Sequence, residues 1–146
     1  MPRDIVITGG TGALGSGIVA RLLAEGATCH IPLLKAVDGD NFAFKDHERV
    51  HLSGPVDLSV EDAVVAYYAS LPPLWASIHV AGGFAMSALT DTTLEDFQAM
   101  MNMNAVSAFL CSREAVKRMR GSAHEGGRIV NVGARPALIP TPGMVS

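Results

Sequence analysis

The sequence predicts an α/β fold, a parallel sheet with helices on both faces, and three observations carry that expectation. Short β-branched runs alternate with longer stretches whose apolar residues recur at helical spacing. The first of these runs stops at a cluster of glycines that opens directly into the first helical stretch. Of 146 residues, 49% are hydrophobic and only 17% charged, which is enough apolar material for one packed core.

Each element has its own signal. Asp4-Ile5-Val6-Ile7-Thr8 has the composition of a strand buried on both faces. Leu14, Ile18, Val19, Leu22 and Leu23 then recur at helical intervals, and Gly26 stands where a left-handed residue would end that helix. Ala27 to Leu34 reads as the second strand; Pro32, with no N–H to donate, belongs at its end or at an unpaired position. Residues 35–48 are polar and weakly patterned, and Arg49 to Leu52 forms a short third strand. Ser59-Val60-Glu61-Asp62 has the form of a capping box, opening a helix that Pro72-Pro73 closes. Trp75 to Ala81 is the fourth strand, ending at Gly82-Gly83. Thr93-Leu94-Glu95-Asp96 opens a long helical stretch to about Arg120, with Gly121 as its stop, and Arg128 to Val132 is the fifth strand. No repeat, low-complexity tract or linker interrupts this order, so one domain over residues 1–146 is expected.

Composition narrows the partners. The formal charge is −3 and neither sign forms a long run, which argues against a nucleic-acid groove or a polybasic membrane anchor. Cys29 and Cys111 lie far apart without a CxxC pair, and His30, His47, His51 and His124 share no ligand spacing, so no disulfide scaffold and no metal are expected. Met100, Met101 and Met103 read as adaptable core or pocket lining. The chain opens straight into a strand pattern without a secretion leader, and no apolar run approaches the roughly 20 residues of a membrane helix. A reducing, cytoplasmic setting and small-molecule ligands are the expectation.

Thr8-Gly9-Gly10-Thr11-Gly12-Ala13-Leu14-Gly15 lies between the first strand and the first helix. Glycines there let the backbone turn tightly and approach a pyrophosphate, whose charge the helix amides can hold. A plain strand–helix turn is the alternative reading. With this loop, the sequence resembles the short-chain dehydrogenase/reductase family, whose segments follow in order along the whole chain. The resemblance implies a Rossmann-type, doubly wound sheet of about five strands in the order 3-2-1-4-5, without the family's C-terminal strands and helices. It implies NAD or NADP as cofactor, held by Thr8, Gly9, Thr11, Gly12, Ala13, Leu14 and Gly15. Ala13 replaces the middle glycine of the family's usual loop, while Gly9, Gly12 and Gly15 fit the spacing of its extended members.

Further segments match residue by residue. Asp57-Leu58 matches the pair that takes the adenine in this family, the alternative being that Asp57 only leads into the next helix. His79-Val80-Ala81-Gly82 stands in place of the family's Asn-Asn-Ala-Gly; Ala81, Gly82 and Gly83 keep the cofactor-facing part, and His79 reads as a packed strand residue rather than a base. Asn104 matches the asparagine that interrupts a helix and binds a water in the family's proton relay. The family's chemistry is hydride transfer between nicotinamide and a carbonyl or imine carbon, using a Tyr, a Lys four residues later and a Ser. Ala134 falls in the serine's place, and no Tyr-x-x-x-Lys occurs, since Tyr67 and Tyr68 are followed at that distance by Leu71 and Pro72.

Residues 133–146 are similar to the segment preceding the catalytic Tyr in dihydropteridine reductase-like members, which also share Ala81-Gly82-Gly83 followed by an aromatic, here Phe84. A fragment of a longer oxidoreductase is therefore the favoured reading, with a non-catalytic NAD(P)-binding module, or a subunit completed by a partner, as alternatives. A small carbonyl or imine substrate and a homo-oligomer, dimer or tetramer, are implied by the resemblance. The choice between NAD and NADP stays open. The place about 20 residues beyond the glycine loop, where an acid selects NAD, holds Leu33 or Leu34, and Lys35 could meet a 2′-phosphate or simply be solvated.

Overall fold

The computed structural model describes residues 3–121, 126–135, 138–139 and 143. Five strands form one parallel sheet: β1 (Asp4–Thr8), β2 (Thr28–Pro32), β3 (Val50–Ser53), β4 (Ala76–His79) and β5 (Arg128–Asn131), in the order β3-β2-β1-β4-β5. β1 is central, with Ile5 paired to Cys29 of β2 and to Ala76 of β4. Its alternate side chains enter two separate cores, as a strand covered on both faces requires. Ile5 and Ile7 pack with Val19, Leu23, Cys29 and Ile31 under helix α1 (Ala13–Ala24). Val6 packs on the other face with Val64, Tyr68, Leu110 and Cys111, under α2 (Glu61–Ala69) and α4 (Ser107–Met119). The sheet is thus doubly wound, a Rossmann-type arrangement.

The element ends show which local signals hold. α1 closes in a Schellman motif: Gly26 has φ +80°, its N–H donates to Leu23 O, and the Ala27 N–H donates to Leu22 O. Pro32 occupies the last position of β2, where its missing donor costs the ladder nothing. Thr93 and Asp96 form the expected reciprocal cap of α3 (Leu94–Met101). The long helical stretch is nevertheless not continuous, because a π turn over Asn102–Val106 separates α3 from α4.

Four expectations need correction. Ser59 does not cap α2: its N–H and its hydroxyl both donate to Asp57 Oδ1, at 2.9 and 2.7 Å, and Val60 takes the N-cap position without a side-chain bond. The short loop from β3 brings Asp57 within reach first, and a local side-chain turn competes with a helix cap for the same groups. Leu14 is 55% exposed rather than on the buried face of α1, which is carried by Gly15, Val19 and Leu23. Residues 35–48 are more structured than their composition suggests, with a 3₁₀ turn over Ala36–Gly39 and a buried Phe42 in the α1-side core. β2, β4 and β5 are also one to three residues shorter than expected, so Ala81 and Val132 lie beyond β4 and β5, and β3 is shifted by one residue.

Candidate functional site

Parallel strands leave a crevice at their carboxyl ends, where the chain turns away to either face of the sheet. A cavity of about 520 Å³ occupies that place. Its wall takes Gly9 and Thr11 after β1, Pro32, Leu33, Leu34 and Asp38 at and after the end of β2, Val56 to Ser59 after β3, and Ala81 and Gly82 after β4. Ala99, Asn102, Met103 and Ser107 close it from α3, the π turn and α4.

The glycine loop is built for close backbone approach. Gly9 has φ +67°, and a Cβ there would stand 2.8 Å from Ala81 N. A Cβ on Gly15 would collide with Gly9 O, so the first turn of α1 lies directly against the loop. Gly12 is the N-cap of α1, with no side-chain cap and no acidic residue in the first turn. The Gly12 N–H donates back to Gly9 O at 3.1 Å, while Ala13 and Leu14 are exposed, so the next helix N–H groups are left to solvent or to an anion. Thr8 serves a different purpose, its Oγ1 accepting the N–H groups of Val80 and Ala81 at 3.2 Å each, which ties the ends of β1 and β4 together.

Asn104 lies outside the cavity wall. Its Oδ1 accepts the Gly83 N–H at 3.0 Å, while its Nδ2 donates to Gly83 O at 3.0 Å and to Met100 O at 3.1 Å. This clip holds the strand-end loop against the π turn, and a Cβ on Gly82 would stand 2.6 Å from Asn104 Oδ1. Gly83 is likewise outside the wall, held by the clip. Ala134 is an exposed residue beyond β5 and does not line the cavity; residues 136–137, 140–142 and 144–146 of the terminal segment lie outside the described residues.

His79 is buried, as a packed strand residue should be, but it is also fully engaged. Its Nε2 is 2.9 Å from Ser77 Oγ, its Nδ1 2.7 Å from Asn131 Oδ1, and Tyr68 Oη is 2.9 Å from the same Ser77 oxygen. Burial pushes the His79 pKa down, the bond to Asn131 opposing it. Cys29 and Cys111 are buried, and burial raises both thiols to about 11, which leaves them protonated and inert.

Of the residues singled out in the sequence, Gly9, Thr11, Asp57, Leu58, Ala81 and Gly82 meet at one cavity, and Met103 joins them as pocket lining. Leu33 and Leu34, the place counted from the glycine loop, line it as well, and Val56 and Ser59 could have been found by counting from the end of β3. Ala99, Asn102 and Ser107 carried no local signal. Lys35 is not part of the wall; Asp38 is.

A doubly wound parallel sheet with a glycine loop between β1 and α1, and a crevice across its carboxyl ends, defines a Rossmann-type protein. The short chain dehydrogenase family model matches residues 3–146, and the chain belongs to that family. An uncharacterized short-chain type dehydrogenase/reductase of Sinorhizobium fredii is 35% identical over 149 residues, covering 96% of this chain and 26% of that protein. An uncharacterized oxidoreductase of Escherichia coli is 30% identical over 148 residues, covering 94% of this chain and 60% of its own. The chain thus spans about a quarter of the first relative and 60% of the second. Among solved structures, a short chain dehydrogenase/reductase family protein superposes with a TM-score of 0.87 at 25% identity, over 97% of this chain and 59% of that one. ElxO with NADP bound superposes with a TM-score of 0.85 at 21% identity, over 99% and 60%. Among the described residues no helix is long and apolar enough to cross a membrane.

Proposed function

We propose that this chain binds a nicotinamide dinucleotide, NAD or NADP, and forms the cofactor-holding part of an oxidoreductase acting on a carbonyl or imine carbon of a small molecule. The observation that carries the reading is the course of one cavity, from the glycine loop at the head of α1 to Asp57 and Leu58 beyond β3. The residues present fit such a group. The amides of Ala13 and Leu14, at an exposed helix start without a side-chain cap, suit a pyrophosphate, Gly9 and Gly15 leave no room for a side chain, and Thr11 lines the cavity.

At the far end, Asp57 Oδ1 is occupied by Ser59, which leaves Oδ2 to accept from an adenine amino group, and the Leu58 backbone lies beside it. Ala81 and Gly82 line the cavity after β4, on the side of the glycine loop away from Asp57, where backbone can lie against the cofactor. When bound, the nicotinamide supplies hydride transfer. The chain's own part is to bind and orient it. Thr8, Gly83 and Asn104 act behind the wall, Thr8 by joining two strand ends and Asn104 by clipping Gly83 beside the π turn.

In this reading Asn104 keeps the relay role that the family resemblance implies, through the helix interruption it occupies, and Ala134 marks the serine position without chemistry of its own. A second reading, a non-catalytic binding module, rests on the same cavity and the same cofactor. NADH titration of the purified chain, followed by calorimetry, tests what both readings share. Saturable one-to-one binding, weakened at least tenfold in Asp57→Ala, is the expected result; a folded chain that takes up neither NADH nor NADPH would refute them.

A further inference from the structure

We infer that Asp38 makes this site selective for the dinucleotide without a 2′-phosphate, NAD over NADP, an inference that rests on the cavity being the cofactor site proposed above. The sheet order supplies the placement. β2 lies between β1 and β3, so the segment leaving β2 stands between the glycine loop and Asp57. A dinucleotide laid along these strand ends has its adenosine ribose between pyrophosphate and adenine. The segment that meets the ribose is therefore the one after β2.

That segment reaches the cavity through Leu33, Leu34 and Asp38. The two leucines, at the end of the strand where an acid would ordinarily be sought, offer no acceptor. The carboxylate comes instead from the 3₁₀ turn over Ala36–Gly39, which carries Asp38 back to the cavity rim. It is held there rather than free: the Lys35 N–H donates to Asp38 Oδ2 at 2.8 Å, leaving Oδ1 to accept from a ribose hydroxyl.

The charges around this position exclude the alternative. A 2′-phosphate carries about −1.5 to −2 at neutral pH. Among the described residues, the only ionisable side chains in the cavity wall are Asp38 and Asp57, both acidic, and no Lys or Arg stands there to receive a phosphate. Lys35 contributes its backbone to the turn, not its ammonium to the wall. An anion brought beside the fixed carboxylate would be repelled and would leave its own oxygens without charged partners.

Paired calorimetric titrations of the 146-residue chain with NADH and NADPH test this. NADH is expected to bind at least tenfold more tightly, and Asp38→Asn to narrow that ratio at least fivefold, chiefly by improving NADPH. Asparagine keeps an oxygen for the Lys35 N–H, so the turn is retained. Lys35→Met should leave both affinities within twofold. Equal binding of the two cofactors, tighter binding of NADPH, or a ratio unmoved by Asp38→Asn would each overturn the assignment while leaving the site itself standing. Binding of neither by a folded chain would instead remove the cofactor reading on which the inference rests.

Discussion

Gly15 shows how one residue can decide whether the loop and the helix behind it coexist. Any Cβ there would enter the space of Gly9 O and Gly10, both backbone, so no side-chain rotation can relieve it. Gly15→Val is therefore expected to destabilise the chain by about 1–3 kcal/mol, the usual range for overpacking. It should also weaken NADH binding at least tenfold, because the first turn of α1 must lift from the loop. Urea unfolding and NADH titration of the variant check both parts; an unchanged affinity in a folded variant would remove the loop from the site. At this scale the sequence was highly informative about backbone and poor about side chains. Glycine spacing marks close approach wherever it occurs, whereas nothing near Asp38 in sequence says that a turn returns it to the crevice. The same holds for Asp57 and Ser59, where a capping-box spacing is satisfied by a local turn instead of a helix cap.

At the scale of elements, β4 and β5 are joined by side chains as well as by their ladder. His79 pairs with Asn131 in register, and Asn131 Oδ1 can only accept, so His79 Nδ1 carries the proton. Nε2 then accepts from Ser77, whose oxygen in turn accepts from Tyr68. This ordering holds only while the imidazole is neutral. Burial lowers the pKa of His79, and of His30 despite its bond to Asp4, below their ordinary value. The unfolded chain takes up protons near pH 6.5 that the folded chain resists, so stability is full above about pH 6.5 and falls as pH drops below it. The urea midpoint should accordingly hold between about pH 8 and 7 and decline toward about pH 5.5, with a shallower decline in His79→Asn. A flat profile, or an identical slope in the variant, would contradict the ordering. The elements themselves were largely legible, since apolar period and caps are local signals; the π turn over Asn102–Val106 continues the helical pattern of its residues, and only the family resemblance at Asn104 marked an interruption there.

At the scale of the whole molecule, two cores lie on opposite faces of the sheet while several large apolar side chains stay exposed. Phe84, Met86, Leu89 and Leu94 are 64–75% exposed, and Phe109 is 61% exposed. Among the described residues β5 is an edge strand, and its Val130 is 46% exposed, as is Val132 just beyond it. Exposed apolar side chains and an unpaired edge both favour association. The purified 146-residue chain should associate on light scattering and bind an apolar dye while folded. A monodisperse monomer without dye binding would show that these side chains are covered in solution.

The sequence by itself determined the order of strands and helices, the glycine loop and the likeness to a family, because each rests on contacts between near neighbours along the chain. Tertiary structure alone decided which residues share the cavity. The wall is assembled from the ends of four strands and from α3, the π turn and α4, so Asp38, Asp57 and Met103 become neighbours only when the parallel sheet sets their elements side by side. The physical reason is that strand order and crossover geometry, not spacing in sequence, fix distances across a sheet.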